Sequence, residues 1–257
     1  MNPRFKLIAT LVLSLFMLMV LILNTILPTA FAADGQFNTP FGVAIDSSGN
    51  MYVADSGNNR VQKFKNDGTF IRKWGTSNGQ FNFPFGIGID SSGNAYVSDI
   101  ENNRIQKFKK DGTFIRTWGS EGSAIGQFQF PEGIAVDKSG KVFVADVLNH
   151  RVQVFNNGGT FIGTWGSVGS ANGQFNAPFG VAIDSSGNVY VADSGNNRVQ
   201  KFKNNGIFIR TWGTFGTVNQ TQTSSINPFS ESESDTNIFQ GLGGNIGMTT
   251  VLSKLNK

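Results

Sequence analysis

The feature that most constrains the fold of this chain is a unit of about 40 residues that occurs four times in succession. The copies begin at Gly35, Gly79, Gly126 and Gly173, and the first reads GQFNTPFGVAIDSSGNMYVADSGNNRVQKFKNDGTFIRKWG. After Gly213 the unit does not recur. Because one short unit cannot bury its apolar face alone, the repeat predicts an array of similar units stacked on one another.

Each unit is predicted to form four short antiparallel strands, because β-branched and aromatic residues cluster in four runs. In the first copy these runs are PFGVAID, MYVAD, RVQKF and TFIRKW, separated by the turns DSSGN, SGNN and NDG. The Asp-Gly and Asn-Gly turns predict type I′ hairpins. Four such strands in a repeat of this length are typical of one β-propeller blade. The sequence therefore predicts an all-β propeller with four clear blades, in a ring that is closed, incomplete or extended by a partial blade from the tail.

The repeated motif also carries a family resemblance. The pattern P-x-G-[VI]-[AG]-[VI]-D, then YVAD or FVAD, then N-x-R-[VI]-Q-x-F resembles the NHL repeat family over about residues 35–213. This resemblance implies a β-propeller, most often six-bladed, whereas the chain shows four units. It implies the fold more firmly than the function, because propellers host lyases, phosphodiesterase-like enzymes, RNA-binding proteins and scaffolds.

Residues 1–32 are predicted to be an export signal. Arg4 and Lys6 precede the apolar run 7–23, and an Ala-Phe-Ala sequence ending at Ala32 fits a cleavage site. Because the apolar run is longer than a typical signal-peptide core, an uncleaved membrane anchor stays open as the alternative. In both cases the rest of the chain is expected outside the cytoplasm, secreted or at the cell surface.

The remaining chain divides into a propeller and a tail. The propeller is predicted at 33–213, with blades at about 35–78, 79–125, 126–172 and 173–213. Residues 214–257 are rich in Ser, Thr and Asn and are predicted to be a flexible extension. If four blades do not close a ring, the first and last blades leave open edges that template association. Three arrangements stay open: a tight four-blade ring, completion by a second chain, and capping by the tail.

Composition narrows the chemistry available to the chain. It has no Cys and one His, so a Cys/His zinc site is excluded, whereas a Ca²⁺ site is not. The formal charge of +4 is a mild basic bias and predicts no nucleic-acid partner. Lys63, Lys107 and Lys201 each precede a Phe on the third strand, and we expect the lysines to be solvated and the Phe rings buried.

Positions that are identical in all four copies are predicted to serve the fold. An Asp that ends the second strand and an Arg five residues later are expected to pair. A Trp that ends the fourth strand is expected to pack in the core or between blades. These positions are Asp55 and Arg60, Asp99 and Arg104, Asp146 and Arg151, Asp193 and Arg198, and Trp74, Trp118, Trp165 and Trp212.

Positions that differ between copies are better candidates for function. The loop SGNN becomes IENN in the second copy and VLNH in the third, and a Phe of the first strand becomes Glu in the third. Exposed Ile, Val and Leu beside a few charges predict a partner-contact patch, although neutral drift of surface loops stays open. The candidate patch consists of Ile100, Glu101, Glu132, Val147, Leu148 and His150.

Two functional hypotheses follow. The resemblance places Phe41, Phe85 and Phe179 at the mouth of the propeller channel, and an aromatic mouth favours a non-catalytic module that binds a protein or glycan. The alternative is a Ca²⁺-dependent, lactonase-like hydrolase, which carboxylates converging on the channel would favour. The sequence assigns no catalytic, cofactor or metal residue, and a membrane contact is expected only through an uncleaved N-terminal segment.

Overall fold

The structure, a computed structural model, describes residues 32–75 and 80–214. Within them the chain forms four antiparallel sheets, each with its four strands in sequence order, here called blades 1 to 4. The predicted all-β propeller of four blades is therefore confirmed. Residues 1–31 of the predicted signal segment 1–32 and residues 215–257 of the predicted extension 214–257 lie outside the described residues. In the described part of the chain no helix is long and apolar enough to cross a bilayer.

The strands of the blades have the following bounds. Blade 1 contains β1 (Pro40–Ile45), β2 (Met51–Asp55), β3 (Arg60–Phe64) and β4 (Phe70–Trp74). Blade 2 contains β5 (Pro84–Ile89), β6 (Ala95–Asp99), β7 (Arg104–Phe108) and β8 (Phe114–Trp118). Blade 3 contains β9 (Pro131–Val136), β10 (Val142–Asp146), β11 (Arg151–Phe155) and β12 (Phe161–Trp165). Blade 4 contains β13 (Pro178–Ile183), β14 (Val189–Asp193), β15 (Arg198–Phe202) and β16 (Phe208–Trp212).

A one-turn 3-10 helix joins the second and third strands of each blade. These 3-10 turns are Ser56–Asn58, Ile100–Asn102, Val147–Asn149 and Ser194–Asn196. Each is followed by a residue in the left-handed conformation, such as Asn59 at φ 50°. Because the first residue of β1 pairs with the last residue of β2, the 3-10 turns and the starts of the first strands lie at the same end of the propeller, here called the loop face.

The hairpin between the third and fourth strands differs from the predicted type I′ turn. In blade 1 the Gly68 N–H donates to the Lys65 carbonyl, and only Gly68 has positive φ in that turn. A type I′ turn requires positive φ at both central residues, so the type I′ prediction is wrong. The register shift between Lys63 and Phe64 identifies instead a longer loop with a bulge that uses one left-handed glycine.

The apolar core lies between neighbouring blades. The first strands β1, β5, β9 and β13 pack side by side in that order and are therefore nearest the propeller axis. At the outer side, Trp118 of blade 2 contacts Phe155 of blade 3, with ring centroids 5.9 Å apart. Trp74 and Trp165 make the equivalent contacts. The prediction that the repeated Trp packs between blades is confirmed at these three junctions.

The four blades form an open arc. Within the described residues, no packing comparable to that between the other first strands joins β13 to β1. Val43 and Ile45 on β1 are 57% and 67% exposed, whereas Ile87, the counterpart of Val43, is 6% exposed and Ile89, the counterpart of Ile45, is half-buried. At the other end, Trp212 is 44% exposed and Trp74 only 7%. The described residues therefore do not form a tight four-blade ring, because within them each end of the arc lacks the neighbouring blade that covers these side chains elsewhere.

The Phe that follows each lysine of the third strands is buried as predicted, but two of the three lysines are not solvated. Lys63 is buried, and its ammonium lies 2.6 Å from the Tyr52 hydroxyl and 3.4 Å from the Asp46 carboxylate. Lys107 is likewise buried, over the ring of Tyr96. The prediction failed because period-two alternation identifies the side of the sheet but not what covers it. Here an Asp–Tyr pair on the preceding strands partners the charge.

Candidate functional site

The conserved Asp of each blade fixes the conformation of its loop-face turn. In blade 3 the buried Asp146 carboxylate accepts hydrogen bonds from the Arg151 Nε at 2.7 Å, the Asn149 side chain at 2.9 Å and the Gln153 side chain at 3.0 Å. It also accepts the Gln129 N–H at 2.8 Å. The predicted Asp–Arg pairs are confirmed in all four blades. The hydrogen-bonding capacity of these carboxylates is thus used within their own blade, where they hold the loops in one conformation.

His150 takes over the structural contact of an asparagine. It has φ 53°, and its Nδ1 accepts the backbone N–H of Ala177 in the next blade at 3.1 Å. Asn103, at the same position of blade 2, accepts the N–H of Phe130 at 3.0 Å. Burial lowers the pKa of His150, although nearby Asp193 and Asp146 act in the opposite direction. The imidazole is therefore a half-buried hydrogen-bond acceptor between blades.

Three of the six members of the predicted patch are buried, namely Ile100, Val147 and Glu132. Ile100 is 4% exposed and Val147 is 2% exposed, so the expectation that they form an apolar surface is wrong. Both are the first residue of a 3-10 turn, and this position lies beneath the next blade. In blade 1 the equivalent Ser56 is fully buried and its hydroxyl donates to the Pro84 carbonyl of blade 2. Their divergence from Ser therefore changes the blade junction.

The exposed part of the predicted patch is smaller. Leu148 is 38% exposed, and its N–H donates to the Gln129 carbonyl, which fixes its backbone at the loop face. Glu101 holds the corresponding position in blade 2 and is half-buried, with its Oε1 lacking a partner in the described residues. Burial, reinforced by the charge of Asp99, raises the pKa of Glu101. Leu148 and Glu101 thus present one apolar and one acidic group at the same end of adjacent blades.

The starts of the first strands form an aromatic group at the axial side of the loop face. Phe41 and Phe85 stack with ring centroids 4.4 Å apart, and both remain half-buried. Phe179 is half-buried at the equivalent position of blade 4. We call this group, with Glu132 at the fourth position, the channel mouth. It presents ring faces to an apolar ligand group.

Glu132 is the polar member of the channel mouth and is almost completely enclosed. It is 2% exposed, and its Oε2 has no hydrogen-bond partner among the described residues. Burial raises the pKa of this carboxyl well above its usual range. A carboxyl in such a place is either neutral or requires a hydrogen-bonding or charged partner, because burying an isolated carboxylate costs free energy.

Ser98 is a site residue that the sequence comparison between copies did not single out. Its hydroxyl donates to the Glu132 carbonyl of the next blade at 2.8 Å and accepts the Gly86 N–H at 2.7 Å. The other three blades have Ala at this position. The change from YVAD to YVSD was thus the available signal, and it marks the same junction as Glu132.

The buried carboxyl predicts an unusual pH dependence. Because the folded state raises the pKa of Glu132 above the ordinary value of 4.5, the folded state binds its proton more tightly. Its contribution to stability is therefore greatest below pH 4.5 and declines as the pH rises. We expect the unfolding free energy of Glu132→Gln, relative to that of the wild type, to rise by about 1–3 kcal/mol as the pH is raised from acidic to neutral. Urea unfolding of both proteins across this range measures the difference.

The control for this prediction is Glu121→Gln, which removes an exposed carboxylate from the segment that joins blade 2 to blade 3. Subtracting the wild-type unfolding free energy at each pH cancels the groups that both proteins share. A difference between Glu132→Gln and wild type that is constant over the range would contradict the assignment.

Metal chemistry is the remaining hypothesis for the site. Among the described residues, no group of three or more His, Asp or Glu side chains is placed to hold a metal ion. The Ca²⁺-dependent alternative stays a prediction from the sequence.

Comparisons with known proteins identify the repeat and the fold. The NHL repeat profile matches residues 37–64, 81–108, 128–155 and 175–202, and each match ends with the third strand of a blade. Protein lin-41 from Caenorhabditis elegans is 48% identical over 42 residues, which are 16% of this chain and 4% of lin-41.

Similar solved structures include two lyases and a synthase. A streptogramin B lyase has a TM-score of 0.56 at 15% identity, covering 71% of this chain and 56% of the lyase. Virginiamycin B lyase from Staphylococcus aureus has a TM-score of 0.55 at 16% identity, covering 69% and 56%. Hydrazine synthase from Kuenenia stuttgartiensis has a TM-score of 0.54 at 13% identity, covering 72% and 52%. The chain spans about half the length of these proteins, and the likeness shows the fold alone.

Proposed function

We propose that this chain, which belongs to the NHL-repeat family of β-propellers, is an exported, non-catalytic interaction module that binds a protein or glycan through its loop face. The observation that carries the proposal is the stacked Phe41–Phe85 pair at the channel mouth, which offers half-exposed ring faces. Aromatic side chains in a concave, mainly apolar site are the usual anchors of protein and ligand contacts.

The rigid frame around the channel mouth supports the same proposal. The repeated carboxylates, such as Asp146, are saturated with hydrogen bonds from their own blade, so they serve the loop geometry. A binding surface on pre-ordered loops loses little conformational entropy when a partner docks. The divergent exposed residues, Leu148 above all, stand on this frame and would give the contact its specificity.

Export is proposed from the N-terminal sequence. The positive residues Arg4 and Lys6, the apolar run 7–23 and the Ala-Phe-Ala sequence ending at Ala32 have the order of a signal peptide. The partner is therefore sought among glycans and proteins outside the cytoplasm.

Because the chain contains four versions of this loop, the divergent loop of blade 3 can be replaced by one that already folds in the other blades. Val147→Ser, Leu148→Gly and His150→Asn together convert the blade 3 loop into SGNN, which forms the same 3-10 turn in blades 1 and 4. We expect this variant, and separately Phe85→Ala, to bind a glycan array or a panel of extracytoplasmic protein domains about tenfold or more weakly. Binding constants against the best wild-type ligand measure the effect.

The matched control lies at the opposite end of the same blade. Lys138→Ser and Lys141→Asn convert DKSGK into the DSSGN of the other three copies, and we expect unchanged binding. The chain is taken from the extracytoplasmic fraction, where mass spectrometry is expected to read an N-terminus at Ala33. Equal binding by wild type and both loop-face variants would refute the proposed surface, and turnover of a bound ligand would refute a non-catalytic role.

A further inference from the structure

Every junction between neighbouring blades uses the same outer contacts, as blades 2 and 3 show. The Trp118 ring of blade 2 lies against Gly159, in the β11–β12 turn of blade 3. In return, the Phe128 ring of blade 3 lies against Gly119. Both glycines have positive φ, and neither position has room for a Cβ. Trp and Phe thus interlock across the junction, each over a glycine of the opposite blade.

Two polar and backbone contacts complete the junction. The Asn103 side chain of blade 2 accepts the N–H of Phe130 at 3.0 Å. Gly86 faces the backbone carbonyl of Glu132 so closely that an added Cβ would clash with it. The same four contacts join blades 1 and 2 through Trp74–Gly112, Gly75–Phe81, Asn59–Phe83 and Gly42–Phe85. They join blades 3 and 4 through Trp165–Gly206, Gly166–Phe175, His150–Ala177 and Gly133–Phe179.

Blade 4 carries one half of this junction, and no other blade among the described residues packs against it. We call Trp212, Gly213, Asn197 and Gly180 the exit face. Trp212 is 44% exposed, and the three described atoms nearest to a Cβ placed on Gly213 belong to Asn197 and Arg198 of the same blade, with no Phe ring among them. Asn197 has the left-handed backbone conformation of its counterparts. Its side chain makes no hydrogen bond in the described part of the chain. A Cβ on Gly180 would meet only Ala192, at 3.5 Å, where the other blades meet a backbone carbonyl.

Blade 1 carries the other half. We call Phe37, Thr39, Phe41 and Gly68 the entry face. Phe37 is 42% exposed, and no atom lies within 4 Å of a Cβ placed on Gly68. Thr39 has φ 44°, in the same left-handed region as Phe130 at φ 57°, and its N–H makes no hydrogen bond within the described residues. The donor, the ring and the glycine turn are therefore already in the conformation that an internal junction uses.

We propose that the exit face binds the entry face of a second copy of this chain. Trp212 would lie on the partner's Gly68 and Gly213 would receive the partner's Phe37. Asn197 would accept the N–H of the partner's Thr39. A second copy is the occupant because both faces are halves of one junction and the chain holds no fifth copy of the motif. Residues 214–257 contain no Trp and do not repeat the glycine turn.

The contact is head-to-tail, so it leaves one exit face and one entry face at the ends of a pair of chains. If these also meet, two copies close a ring of eight blades, which is within the range of known propellers. The contact would cover the exposed apolar side chains of both ends, including Val43 and Ile45.

A single methyl group tests this inference. Gly180→Ala has free space in one chain, but in the proposed contact its Cβ would strike the carbonyl of the partner's Phe41, as it would at the three internal junctions. We expect the wild-type full chain to sediment as a dimer or larger assembly and Gly180→Ala to associate about tenfold to a hundredfold more weakly. Gly163→Ala, at a glycine of blade 3 with nothing within 4 Å, is the control and should associate as the wild type does.

A mixing experiment tests the head-to-tail geometry. Val43→Asp places a charge on β1 beside the entry face, at a residue that is 57% exposed in the single chain, so this variant should fold but not self-associate. A mixture of Val43→Asp and Gly180→Ala retains one intact exit face and one intact entry face, and we expect mixed dimers. A wild-type chain that stays monomeric, Gly180→Ala that associates normally, or a mixture that stays monomeric would each overturn the proposal. Circular dichroism and melting curves confirm that the variants are folded.

Discussion

Replacement of Asp55 by alanine is expected to lower the unfolding free energy by about 3–5 kcal/mol, because it leaves a buried charge without its partner. The Asp55 carboxylate is fully buried and lies 2.6 Å from the Nε of Arg60, which is itself buried. It also accepts the Gln62 side chain at 3.0 Å and the Asn38 N–H at 2.7 Å. Urea unfolding monitored by circular dichroism measures the loss.

The control for Asp55 is Asp67→Ala, which removes an exposed carboxylate from the β3–β4 turn of the same blade. We expect a far smaller change there, because solvent replaces the lost hydrogen bond. Arg60→Met combined with Asp55→Ala should destabilise the chain less than the sum of the two single changes, since the double variant buries no lone charge. Equal losses from Asp55→Ala and Asp67→Ala would contradict the role assigned to the buried pair.

The blade and its frame could be predicted because they depend on features that recur in the sequence. The strand runs, the turns and the Asp–Arg spacing occur four times, so one chain shows which positions every blade needs. Asp55 and Arg60 were thus assigned to each other from their five-residue spacing, and the structure pairs them.

The candidate site was predicted only in part, because burial at a junction depends on the neighbouring blade. Ile100 and Val147 stand in a loop, and a loop sequence does not say which residue points beneath the next blade. The same reason explains the exposed end of the arc. Trp212 has the sequence context of the other three Trp residues, and only the missing neighbour exposes it.

The sequence does carry a signal for the buried lysines. Blade 3 has Phe143 where the other blades have Tyr, and Val154 where they have Lys. The simultaneous loss of both polar groups indicates that Tyr and Lys contact each other, as Tyr190 and Lys201 do in blade 4. Differences that occur together in one copy therefore carry contact information that single positions do not.

Because the ends of the arc are open, the same Trp→Ala change is expected to lower the unfolding free energy by different amounts at Trp74 and at Trp212. Trp74→Ala is expected to cost about 3–5 kcal/mol, because the ring is 7% exposed between Tyr52 and Phe108. Trp212→Ala removes the same atoms from a ring that is 44% exposed and contacts Tyr190 alone among the described aromatic rings. We expect it to cost less than half as much in the single chain. Unfolding is measured at protein concentrations low enough to keep the chain monomeric.

A third variant separates packing from hydrogen bonding at Trp74. Its indole N–H is buried without a partner in the described residues, which offsets part of the gain from burying the ring. Trp74→Phe keeps an aromatic ring and removes this donor, so it should be milder than Trp74→Ala. If Trp212→Ala were as costly as Trp74→Ala in the monomer, something would already cover the exit face within one chain, and the arc would not be open. If its cost rises only as the protein concentration rises, the missing cover comes from a second copy.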